Sequence, residues 1–82
     1  MKVQVMLIVP SIGAAHNVLL PESLRIRDVL PLLIKGITEL SNHNYISSNE
    51  EFLCLDPLEL PLDPEGTLLQ FGVQNGDHLY LI

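Results

Sequence analysis

A chain of 82 residues suits one domain, and its one cysteine, Cys54, excludes an intrachain disulfide, so stability must come from apolar packing. The 48% of hydrophobic residues, 17 of them leucine, supply that material. A net charge of −6, with only Lys2, Arg25, Arg27 and Lys35 positive, argues against nucleic acid as a partner and against docking on an anionic membrane. Low cysteine use makes a reducing cytoplasm the expected compartment.

The segment "KVQVMLIVP" alternates at its start, placing Val3, Val5, Leu7 and Val9 on one face and Lys2, Gln4, Met6 and Ile8 on the other. Its second half is apolar on both faces, which predicts a central strand. No apolar run is long enough to span a bilayer, so direct membrane insertion is not expected. The first fifteen residues resemble a signal peptide only loosely, because Gln4 and Pro10 fit an apolar core poorly, and no cleaved leader is expected. "PSIGAA" then reads as a turn, and "HNVLLP" as a second strand stopped by Pro21.

Helical spacing follows in "LRIRDVLPLLIKGITEL", where Ile26, Leu30, Leu33, Ile37 and Leu40 would share one face. Pro31 is tolerated only near a helix start, which puts that start near Ile26 to Asp28, with Asp28 or Ser23 as candidate caps. "SNHNYISSNEE" is a polar loop. "FLCLD" reads as a third strand, and "PLELPLD" as a short edge strand limited by its prolines. A turn and a short helical turn follow in "DPEGTLLQFGV", with Thr67 as a cap. "QNGD" is a second turn, leading into a last strand with Leu79 and Leu81 on one face and His78, Tyr80 and Ile82 on the other. The order β-β-α-β-β-β, with one amphipathic helix, predicts a single α+β domain over residues 1–82, a mixed sheet packed on one helix.

That order resembles ubiquitin and the β-grasp fold over nearly the whole chain. "LRIRDVLPLLIKGI" and "LPLDPEGTLLQFGVQNGDHLYLI" are similar to the YukD/EsaB family, ubiquitin-like accessory proteins of type VII secretion systems. They are equally similar to the ubiquitin-like N-terminal domain of a larger membrane component of such systems. Asp28-Val29-Leu30-Pro31 stands where the family has its helix start, and Gly72 through Asp77 where it has its last turn. The resemblance implies a non-catalytic adaptor, with a secretion-machine component as its protein partner, placed in the cytoplasm or at the inner membrane face through that partner. A protein modifier or sulfur carrier is disfavoured, since such proteins act through a protruding Gly-Gly tail and Leu79 to Ile82 are bulky and alternate as a strand does.

No nucleophile–base pair is visible, which argues against an enzyme. His16, His43 and His78 share no metal spacing with one another or with Cys54, so neither a metal nor another cofactor is expected. Cys54 between two leucines reads as an apolar filler. Asp56, Glu59, Asp63 and Glu65, with Glu50 and Glu51 upstream, read as a solvated acidic face or as a docking patch for a basic partner. The sheet face that one helix leaves open is the better candidate. It would gather Met6, Ile8, Cys54, Tyr80 and Ile82, as a partner-binding patch or as the contact of a homodimer.

Overall fold

The computed structural model describes residues 1–56 and 61–82. Strands β1 (Lys2–Val9) and β2 (Ala14–Pro21) form an antiparallel hairpin through a 3-10 turn at Pro10–Ile12. Gly13 closes that turn in the left-handed region, φ 61°, where a Cβ would be strained. Helix α1 (Ile26–Leu40) follows, then β3 (Leu53–Leu55) and β4 (His78–Leu81). The sheet order is β2-β1-β4-β3, with β4 parallel to β1 and antiparallel to β3. The two strands that are apolar on both faces, β1 and β4, are the inner pair. The stretch from Leu79 to Ile82 lies in the sheet, as its alternation predicts. Leu79 and Leu81 are buried, and Ile82 exchanges backbone bonds with Phe52.

One sheet face packs on α1. Val3, Val5, Leu7 and Val9 meet Leu53, Leu55, Leu79 and Leu81 and the helix residues Ile26, Val29, Leu33 and Ile37 in one core. The buried helix stripe is therefore stepped three, four, four. It takes Val29 in place of Leu30, which is only half-buried, while Leu40 remains 60% exposed at the helix end. The expected stripe was rotated by about one residue, because a 3.6-residue period fits both spacings over two turns.

The helix begins at Ile26 as expected, but neither Asp28 nor Ser23 caps it. Its first residue is preceded by Arg25, and no side chain bonds there. The orphan N–H groups of Ile26 and Arg27 donate instead to the carbonyls of Gly66 and Pro64, at 2.9 and 3.0 Å. Pro31 thus sits in the second turn and removes the bond that would run to the Arg27 carbonyl. The other helix end closes by two reversed bonds, His43 N–H to Thr38 and Asn42 N–H to Glu39, with Asn42 at φ 56°.

After β3 the expected edge strand falls mostly at residues 57–60, outside the described residues. Among those described, Pro61 makes one isolated bridge to Cys54. The short helical turn expected within residues 63–73 is present as a single turn, with one helical bond from Phe71 N–H to the Thr67 carbonyl at 3.2 Å. Thr67 does cap, since Thr67 and Gln70 exchange side-chain-to-backbone bonds at 3.1 and 2.9 Å, a capping box. Gly72, at φ 71°, closes the turn with the same pair of reversed bonds that ends α1.

Candidate protein-binding face of the sheet

The register fixes which side chains share the face that α1 leaves open. Ile8 stands opposite Ala15 on β2 and Tyr80 on β4, and Tyr80 stands opposite Cys54 on β3. With the Cys54–Pro61 bridge, this makes one row across the sheet: Ala15, Ile8, Tyr80, Cys54, Pro61. Met6 heads a second row between Asn17 and His78. Met6, Ile8 and Tyr80 are half-buried, and Ile82 is 54% exposed.

Cys54 lies on this face but is buried, 7% exposed, so it forms floor and not contact surface. Burial also pushes its thiol pKa up, which keeps it neutral and unreactive near pH 7. Beside it, Leu55, Asp56, Tyr80 and Ile82 line a shallow depression of about 340 Å³. The sequence reading missed Leu19. It pairs with Gln4 and so shares the open face, 63% exposed. The alternation of "HNVLLP" carries that signal, because residues 15, 17 and 19 have one parity and the buried Leu20 has the other.

The turn from Gly72 to Asp77 anchors this face from below. Gly76 N–H donates to the Gln4 carbonyl at 2.9 Å, and Gln4 N–H to the Asn75 side chain at 2.8 Å. Met6 N–H then donates to the Asp77 carbonyl, which starts the parallel pairing of β4 with β1. The turn's own shape is held by Asp77, whose carboxylate accepts from Gln74 N–H at 2.9 Å.

The acidic residues do not form one uniform patch. Glu65 accepts two bonds from Arg27, at 3.1 and 3.2 Å, and lies 3.9 Å from Arg25. Asp63 accepts from the Glu65 N–H. Glu51 accepts the Tyr45 hydroxyl at 2.7 Å. Burial would raise the Glu51 carboxyl, but hydrogen bonds from Ser47, Tyr45 and the backbone outweigh it and lower its pKa. Glu59 lies outside the described residues. Among the described residues no group of three or more His, Cys, Asp or Glu side chains is placed to hold a metal ion, and no helix is long and apolar enough to cross a membrane.

A mixed sheet with the order β2-β1-β4-β3, one helix across one face and a parallel inner pair is a β-grasp arrangement. The ubiquitin-like domain of the Mycobacterium tuberculosis type VII secretion system protein ECCD1 superposes on it with a TM-score of 0.82, covering 100% of this chain and 98% of that one at 14% identity. The chain has the ubiquitin-like β-grasp fold. The EccD5 ubiquitin-like domain from Mycobacterium xenopi matches this ubiquitin-like chain with a TM-score of 0.75 and 21% identity, over 100% and 93% of the two chains. Protomer 1 of the ESX-3 core complex matches with a TM-score of 0.66 and 25% identity, covering 100% of this chain and 16% of that one. The ubiquitin-like chain therefore shares its fold with domains of type VII secretion proteins, as its helix and turn motifs imply. No family model and no curated protein matches the sequence.

Proposed function

We propose that this chain is a non-catalytic ubiquitin-like adaptor that acts by protein–protein contact beside a type VII secretion machine. Its contact surface is the open sheet face carrying Met6, Ile8, Tyr80 and Ile82, with Cys54 as the floor. The row from Ala15 to Pro61 supports this reading most directly, because it sets apolar side chains side by side where the helix does not cover them. Tyr80 is the anchor, combining a large apolar ring with a polar tip. The fold shared with ECCD1, EccD5 and the ESX-3 protomer supports a component of such a machine as the kind of partner.

Capture of interacting proteins from the native cell tests it, using the intact protein and its Tyr80→Ala and Ile8→Asp variants. Loss of a hot-spot side chain should weaken capture of a secretion component by about tenfold or more, with thermal melts confirming that the variants remain folded. Variants that stay folded and still capture it at wild-type level reject this face.

A second reading is favoured by one observation: the ESX-3 match occupies 16% of a longer chain. This chain would then be the ubiquitin-like portion of a larger secretion membrane component. The mass of the protein purified from its native host separates the two readings.

A further inference from the structure

Strand β2 is an edge of the sheet. It pairs with β1 on one side and, among the described residues, with nothing on the other. Which of its amides face outward follows from two bonds. Glu22 N–H donates to Met1, so residues 22, 20, 18, 16 and 14 point their backbone groups at β1. Met6 N–H donates to Asp77, the residue just before β4, so the even residues of β1 face β4 and its odd residues face β2, in agreement. The outward amides are therefore those of Ala15, Asn17 and Leu19.

The ends of this open run are closed, and closed symmetrically about Asn17. Four residues on, Pro21 has no N–H to offer. Four residues back, the N–H of Gly13 already donates to Pro10 at 3.1 Å. Edge strands in soluble proteins are usually protected by charge, bulges or short length. This one runs for 8 residues and carries no Lys, Arg, Asp or Glu.

We propose that β2 pairs antiparallel with β2 of a second copy, on a two-fold axis through Asn17. In that register Ala15 exchanges bonds with Leu19 of the other copy, Asn17 with its own counterpart, and Leu19 with Ala15. Every outward amide is used, and each closed end meets the other. Such a contact is isologous, since one surface serves both partners. It joins the two four-stranded sheets into one. The exposed Leu19 side chain lies beside Ala15 on the open face, and the half-buried His16 and Val18 meet on the helix side.

Charge favours a second copy here despite a net −6 on each chain. Glu50, Glu51 and Asp56 flank β3 in sequence, at the opposite edge of the sheet. Glu22, the carboxylate nearest to β2 in sequence, falls opposite Ile12 and not opposite another acid. Along the paired strands no acid stands opposite another acid, and the pairing leaves the Tyr80 and Ile8 face open for a different partner.

The test is sedimentation of the whole chain up to millimolar concentration, together with amide exchange. A monomer–dimer equilibrium is expected, with the amides of Ala15, Asn17 and Leu19 gaining protection in step with the dimer fraction. Asn17→Asp and Asn17→Lys each put two like charges on the axis and should weaken association about tenfold or more without changing the thermal melt at low concentration, where the chain is monomeric. An equal mixture of these two variants should associate again, as a mixed dimer. A chain that stays monomeric throughout overturns the proposal, including the case where β2 takes up an extended peptide of another protein instead. So does a dimer whose three amides exchange as in the monomer, or one indifferent to both Asn17 variants. Tyr80→Ala should leave this dimer intact, which keeps the test apart from that of the proposed adaptor face.

Discussion

Residues 63–77 and residues 41–52 both connect regular elements without a helix or strand of their own, yet they are held in different ways. The first segment buries Leu68 and Val73, and its backbone bonds to four separate places: Ile26 and Arg27 at the helix start, Glu22, Gln4 and Met6. The second buries Tyr45 alone, and among the described residues no backbone-to-backbone bond involves residues 45–51. Side chains do that work instead: the Tyr45 N–H donates to the Ser41 hydroxyl oxygen and the Tyr45 hydroxyl to the Glu51 carboxylate. Three non-glycine residues in the second segment, Asn42, His43 and Asn49, also have positive φ. Irregular backbone is thus no measure of looseness. What matters is how many independent elements a segment is tied to.

Leu68→Ala should produce the largest effect of those considered. Leu68 is fully buried in the core, and its truncation removes the segment's largest buried side chain. A loss of about 2–5 kcal/mol is expected from urea unfolding. Amide exchange should speed up at Ile26 and Arg27 as well, because their acceptors are Gly66 and Pro64. A loss below about 1 kcal/mol would show that the backbone bonds, and not the buried leucine, fix the segment.

Gly66→Ala attacks the same segment from its tightest point. A Cβ there would come within 2.7 Å of the Phe71 ring, and the Gly66 carbonyl is the acceptor for Ile26. Overpacking of this kind costs about 1–3 kcal/mol. Adding Phe71→Leu should restore part of it, so that the double variant is more stable than additivity allows. Additive losses would mean that the backbone at Gly66, and not the ring, is the obstacle.

The two segments also differ in how legible they were. Thr67, Gly72 and the Asn75-Gly76-Asp77 turn advertise themselves, because capping and positive φ demand particular residue types. The strands and the core parity of β1 and β4 were legible for a similar reason, since period-two alternation has only two phases. Leu30 and Leu40 were misassigned because a helical stripe has no such sharp phase and the true one runs through Val29. Tyr45 could not be read from sequence at all. One aromatic in a polar loop has no periodic neighbours, and its burial depends on a partner six residues away. On the candidate face, the common parity of Ile8, Tyr80 and Ile82 followed from alternation, and the neighbouring of their strands from the β-grasp resemblance, while the register itself needed the structure. The burial of Cys54 did not follow from either, because it depends on its cross-strand neighbours, among them the isolated bridge at Pro61. The edge character of β2 needed the strand order.

Tyr45→Phe removes one side-chain tie of the weaker segment, that to Glu51, and should have the smallest effect, about 0.5–1.5 kcal/mol near neutral pH. Its pH dependence is the sharper measurement. Glu51 has a folded pKa below its ordinary 4.5, so it contributes stability that is present above that value and lost as pH falls through the lower folded value. The Tyr45 bond is part of that lowering, so the acid-side loss should shrink in the variant without vanishing, because Ser47 and the backbone still bond the carboxylate. On the alkaline side, burial first and the nearby Glu51 second push the Tyr45 hydroxyl from 10.0 to about 12. A raised folded pKa contributes stability that is complete below the unfolded value, declines above it and is lost by the folded one. Wild-type stability should therefore fall between those two values where the phenylalanine variant loses nothing from this site, and the gap between the two proteins should narrow. Urea midpoints for both proteins across pH 3 to 12 check both limbs. A gap that stays constant over the whole range would mean that the hydroxyl and the carboxylate are not coupled, and that Tyr45 holds its segment through its buried ring and not through its hydroxyl.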